Sequence, residues 1–119
     1  MGIKFVIVGA PRTGSTLLVK TLNNLNGVCC HGELLGPENV RGYEDGFDLL
    51  KASKSEREAR TQRLLLERNT DPVDFIDRIL TADHTATGFK ALYSAFLDPR
   101  WCEVIAFLQT IPAIKFIHL

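Results

Sequence analysis

The sequence predicts an α/β fold: a mostly parallel sheet flanked by helices in three layers. Short apolar runs rich in β-branched residues alternate with segments of helical period, the order expected of βαβ units. The first run, Ile3-Lys4-Phe5-Val6-Ile7-Val8, is almost continuously apolar, as a strand buried on both faces requires. It breaks at Gly9-Ala10-Pro11, and from Gly14 the apolar residues recur with the spacing of a helix.

That first helix carries a stripe of Leu17, Leu18, Thr21, Leu22 and Leu25 and stops at Asn26-Gly27. Val28 to His31 then reads as a second short strand. A loop rich in Gly, Pro and Asn follows from Gly32 to about Gly46. Residues 55–68 predict a helix. Ser55 can cap it, Glu58 holds the capping-box position, and Glu56/Arg60 and Arg63/Glu67 are spaced to pair along its surface. Asp71-Pro72 opens a further helix with Val73, Ile76, Ile79 and Leu80 on one face. Thr85 to Leu92 is expected as a strand, followed by an irregular or helical piece around Tyr93 to Phe96. Asp98-Pro99 starts a helix through Val104, Phe107 and Leu108 that ends near Ile111-Pro112, and Ala113 to Leu119 reads as the fourth strand. There is no internal repeat and no low-complexity segment.

At 119 residues the chain has the size of one domain. Its 14 basic and 14 acidic residues balance, so no overall field draws it to nucleic acid or to an anionic membrane, and any anion site must be local. No apolar stretch approaches the roughly 20 residues of a membrane-spanning helix. The N-terminal run breaks without a cleavage region, unlike a signal peptide, and Val6 occupies the Ser/Thr position of a myristoylation motif. Cys29, Cys30 and Cys102 lack metal-ligand spacing, and bridging adjacent Cys29 and Cys30 would strain the chain. Reduced thiols, a cytoplasmic location and no metal site are the expectations.

The chemistry is concentrated in residues 9–16, GAPRTGST. The glycines have the G-x-x-x-x-G spacing of a phosphate-binding P-loop, so the fold is expected to be P-loop-like. A strand, a glycine turn and a helix N-terminus present unpaired N–H groups and the positive end of a helix dipole to an anion. Gly14 allows close approach, Ser15 and Thr16 add hydroxyl donors, and Arg12 adds a permanent fork-shaped cation. Ser15, however, stands where a nucleoside triphosphatase has the lysine that reaches the β- and γ-phosphates. Such a loop suits a terminal 5′-phosphate better than a metal-bound triphosphate.

The segment Phe5 to Leu18 resembles the 5′-phosphosulfate loop of sulfotransferases that use 3′-phosphoadenosine 5′-phosphosulfate, closest to their bacterial and Golgi-type carbohydrate branch. His31-Gly32-Glu33-Leu34-Leu35 is similar to the family's H/G-E loop after the second strand. Thr87-Gly88-Phe89-Lys90-Ala91-Leu92 is similar to its G-F-K strand, and Lys115-Phe116-Ile117-His118-Leu119 to its K-x-I-H-L strand. The four segments occur in family order across almost the whole chain.

The resemblance implies transfer of the donor's sulfuryl group to an acceptor hydroxyl, on a carbohydrate or glycolipid, without a metal. Arg12, Thr13, Gly14, Ser15 and Thr16 would bind the phosphosulfate, with Arg12 on the leaving-group side. Sulfuryl transfer, like phosphoryl transfer, responds to preorganised N–H groups and one cation. Glu33, in a loop at the C-terminal edge of the sheet, is the candidate base, with His31 as its competitor. Lys90 interrupts an apolar strand and either assists the transferred group or ion-pairs at the sheet edge. Lys54, Arg57, Arg60, Arg63 and Arg68, interleaved with Glu56, Glu58 and Glu67, read as a solvated helix face. Trp101 reads as core or as a surface anchor, Glu38 as surface, and His118 as a strand residue.

In the family the fourth strand is followed by an arginine and a later serine that hold the nucleotide's 3′-phosphate. Both positions fall beyond Leu119, so residues 1–119 are expected to be a single, incomplete domain of a longer enzyme, truncated after the fourth strand. The incomplete sheet is compatible with self-association. Two other readings stand beside this one: a P-loop kinase or nucleoside triphosphatase relative, and a non-catalytic nucleotide-binding or oligomerisation module.

Overall fold

The computed structural model of the protein describes residues 2–10 and 14–119. Among these, strands β1 (Ile3–Gly9), β2 (Val28–Glu33), β3 (Ala86–Leu92) and β4 (Lys115–His118) form one parallel sheet in the order β2-β3-β1-β4. Parallel neighbours need long crossovers, and the helices supply them. These are α1 (Ser15–Asn23), α2 (Lys54–Thr70), α3 (Pro72–Leu80), α4 (Tyr93–Leu97) and α5 (Cys102–Thr110), with a 3-10 turn at Pro99–Trp101 before α5. The α/β fold with helices around a parallel sheet is the predicted one.

β1 explains the layering. Its alternate residues point to opposite faces. Phe5 and Ile7 pack with Val19 of α1 and Cys30 of β2. Val6 and Val8 enter the larger core with Phe75, Ile76, Ile79 and Leu80 of α3, Phe89 of β3, and Val104 and Leu108 of α5. Each large apolar side chain fully buried there contributes roughly 1.5–3 kcal/mol.

Several local expectations need correction. The face α1 turns to the sheet is formed by Ser15, Leu18, Val19 and Leu22, whereas Leu17 and Leu25 are exposed. Successive helical residues are about 100° apart, so Leu17 falls off a face centred on Val19. The cap of α2 is Ser53, not Ser55. Its hydroxyl accepts from the Glu56 N–H at 3.1 Å, and Glu56 Oε1 accepts from the Ser53 N–H at 3.1 Å. The surface pairs Glu56/Arg60 and Arg63/Glu67 do not form; Arg60 instead bonds Asp45 at 2.9 Å, and Lys54 lies 4.0 Å from Glu58. Nor is α2 solvated all round. Arg60, Leu64 and Arg68, at successive i,i+4 steps, turn towards the protein, and Arg68 is completely buried. β4 is exposed along its length because it is an edge strand paired only with β1.

Candidate functional site

The C-terminal ends of the strands bring the predicted residues towards one edge of the sheet. After β1 the chain enters α1 through Gly14, whose φ of 82° is left-handed and costs a residue with a Cβ about 1–2 kcal/mol. Apart from its chain neighbours, a Cβ at Gly14 would meet no described residue within 4 Å. Among the described residues no side chain caps α1, and no acidic residue occupies its first turn. A helix start without a cap leaves backbone N–H groups for an anion of the phosphate type. Ser15 is buried at the start of the helix and Thr16 is exposed. Arg12 and Thr13 lie outside the described residues.

On the other side of β3, β2 ends in an irregularity. His31 pairs with Phe89, but the next pair is Glu33 with Lys90, leaving Gly32 as the extra residue. Such a bulge redirects the strand end. Gly32 is required there, because a Cβ would stand 2.7 Å from the Arg41 carbonyl. Glu33 and Lys90 line one narrow cleft of about 30 Å³ together with Leu35, Pro37, Leu92 and Ser94. Lys90 is only 7% exposed, yet neither its ammonium nor the Glu33 carboxylate makes a hydrogen bond or an ion pair with another described residue. The sheet-edge ion pair that was one option for Lys90 is therefore not formed. A half-buried carboxylate and the ammonium of an otherwise buried side chain thus line one cleft, neither of them paired with the other.

His31 is differently placed. It is buried, its Nδ1 accepts the Glu44 N–H at 3.0 Å, and its ring lies 5.2 Å from that of Tyr43. Burial, and then the charge of His84, pull its pKa down to about 4, against the opposing effect of Asp45. The cysteines are free; burial first, then Cys29 and Glu44, pushes the Cys30 thiol up to about 12, far from a reactive thiolate. His118 sits in β4 with Nδ1 3.4 Å from the Tyr93 hydroxyl.

The sequence reading missed what holds the loop after Glu33. Arg68 Nη1 donates to the carbonyls of Leu34, Gly36 and Asn39 at 3.1, 2.6 and 2.9 Å. Its guanidinium lies 4.7 Å from the ring centre of Trp101, which is core, one of the two places the sequence suggested for it. Arg100 stacks on the same ring at 5.4 Å and donates to the Pro37 carbonyl at 3.3 Å. Further along, Arg60 donates to the Tyr43 carbonyl at 2.8 Å and lies over Phe47. The inward i,i+4 spacing of Arg60, Leu64 and Arg68 was the available signal, but alternating charges along α2 concealed it.

A larger cleft, about 610 Å³, lies at the opposite edge of the sheet beside Lys4, His84 and Lys115. Ligands of open α/β sheets bind beyond the carboxyl ends of the strands, which favours the Glu33 edge despite its narrowness. Among the described residues no three His, Cys, Asp or Glu are grouped to hold a metal ion, and no helix is long and apolar enough to cross a membrane.

Comparison with known proteins gives a match over residues 5–119 to a family model described as the sulfotransferase family. Neither a curated protein nor a solved structure matches the chain. The uncapped glycine turn at one strand end, the unpaired acid and base at the next, and a family match over almost the whole sequence agree: the chain belongs to the sulfotransferase family.

Proposed function

We propose that the protein transfers a sulfuryl group from 3′-phosphoadenosine 5′-phosphosulfate to a hydroxyl of a carbohydrate or glycolipid, in the cytoplasm, with residues 1–119 acting as one domain. The observation that carries this reading is the register of Glu33 with Lys90 at the C-terminal edge, both in one cleft and both unpaired.

The donor would supply an electrophilic sulfur and a phosphate leaving group. The turn at Gly14 and the uncapped start of α1 suit the 5′-phosphate, with Arg12, Thr13, Ser15 and Thr16 completing the cradle. Glu33 accepts the hydroxyl proton on a carboxylate oxygen as the acceptor oxygen bonds to sulfur. The bond from sulfur to the bridging phosphate oxygen breaks, and that oxygen keeps the electron pair. Arg12 and the α1 N–H groups stabilise the charge left on the phosphate, while Lys90 offsets charge on the sulfuryl oxygens. The products are a sulfate ester and 3′-phosphoadenosine 5′-phosphate.

His31 is a poorer base, because its Nδ1 already accepts a backbone hydrogen bond and its buried ring disfavours a proton. Calorimetry with 3′-phosphoadenosine 5′-phosphate and with ATP tests the donor assignment. Binding of the bisphosphate without magnesium, lost in Arg12→Ala, is the expected result. Tighter, magnesium-dependent ATP binding would overturn it in favour of a kinase or triphosphatase.

A further inference from the structure

A base at the end of a strand works only if the chain beyond it is held still, since small misplacements in an active site can cost as much as about 100-fold in rate. Beyond Glu33 the chain leaves the sheet and has no ladder of its own. We propose that Arg68 is a positioning residue for this reaction: its buried guanidinium, stacked on Trp101, fixes the 34–39 turn and thereby sets Glu33 and the acceptor wall against Lys90. This inference rests on the reading of Glu33 as the base.

The chain of contacts is continuous. Arg68 Nη1 gathers three carbonyls of the turn, those of Leu34, Gly36 and Asn39. Leu35, Gly36 and Pro37, carried by that turn, line the same cleft as Glu33 and Lys90. The other side of Glu33 is tied separately: its carbonyl accepts from the Arg41 N–H at 2.9 Å, and the Gly32 N–H donates to the Gly42 carbonyl at 2.9 Å. The strand end is thus held on two sides, by a backbone strap from residues 41–42 and by Arg68 Nη1 from α2.

The choice of arginine carries the argument. Arg68 is 0% exposed and has no carboxylate partner within ion-pair distance among the described residues. Its partners are neutral carbonyls, the Asn69 side-chain oxygen at 3.1 Å and the Trp101 ring. Burying a charge against neutral groups is costly, and a packed apolar side chain fills such a volume more stably. What an apolar residue lacks is a donor: Nη1 is shared among three carbonyls of one turn, while Nη2 is buried with no hydrogen-bond partner among the described residues. Arg100, 5.4 Å from the centre of the same Trp101 ring, donates to the Pro37 carbonyl, which lies between Gly36 and Asn39 in sequence.

The test compares Arg68→Lys and Arg100→Gln with wild type in steady-state transfer. Rates are normalised to calorimetrically counted 3′-phosphoadenosine 5′-phosphate sites, so that loss of folded protein does not pass as loss of rate. Arg68→Lys is expected to keep nucleotide affinity, to lower kcat by about tenfold and to raise the acceptor KM, because a lysine lacks the planar group that lies against Trp101 and bonds Asn69 while Nη1 holds the turn. It should also speed hydrogen exchange at the Arg41 amide while leaving β1 protected. Arg100→Gln should move the same quantities in the same direction by less, and it carries the test if Arg68→Lys does not fold. Wild-type kcat and acceptor KM in Arg68→Lys, or a matching loss of nucleotide affinity, would overturn the positioning role alone. No transfer by the wild-type protein overturns the underlying reading, and the clamp's role with it.

Discussion

His31 lies two residues before the proposed base, and its surroundings favour the uncharged ring. Burial removes water from the imidazole, the charge of His84 acts in the same direction, and Nδ1 is occupied as an acceptor from the Glu44 N–H. A pKa of about 4 in the folded chain lies below the ordinary value of 6.5, so the unfolded chain binds the proton more readily. The stabilisation is complete above pH 6.5 and is lost as pH falls towards 4, on the order of 3 kcal/mol in all. Urea unfolding of wild type and His31→Gln across that window checks this. The variant should show a shallower fall in stability, and parallel curves would contradict the assignment. Single residues were unevenly legible in the sequence. Glu33 and Lys90 stood out because a charged residue among glycines or in an apolar strand is conspicuous. Arg68 did not, because its neighbours in sequence are the same mixed charges that mark a solvated helix, and only the tertiary fold turns it inward.

Elements were legible where a local signal marks them. β1 ends at Gly9, and α3 starts where Asp71 Oδ1 accepts the Asp74 N–H at 3.0 Å with Pro72 next in sequence. The cap of α2 lies two residues before the one expected at Ser55, because Ser53 and Glu56 satisfy each other's N–H groups and a second capping box could not operate inside the first. Ser53→Ala should therefore destabilise the protein by about 1 kcal/mol, whereas Ser55→Ala should change it little. Equal shifts in denaturation midpoint for the two would contradict the assigned start. The bulge at Gly32 had no such signal. A register shift is a property of a strand pair, and neither β2 nor β3 alone encodes that Glu33 meets Lys90.

At the scale of the whole molecule, alternation of strands and helices was enough to expect a parallel sheet between helical layers, while the order β2-β3-β1-β4 was not readable from periodicity. That order matters for function. It sets β3 between β1 and β2, so the strand carrying Lys90 separates the glycine turn after β1 from the Glu33 bulge. A phosphosulfate seated at the start of α1 and a hydroxyl seated beside Glu33 would then meet across the end of one strand. The measurement that tests this most directly is the rate of labelled-sulfuryl transfer to a panel of carbohydrate acceptors by wild type and Glu33→Gln, at saturating donor. Transfer by wild type, a fall of about 100-fold or more in kcat in Glu33→Gln, and unchanged 3′-phosphoadenosine 5′-phosphate affinity are predicted. Transfer at the wild-type rate by Glu33→Gln would contradict the account.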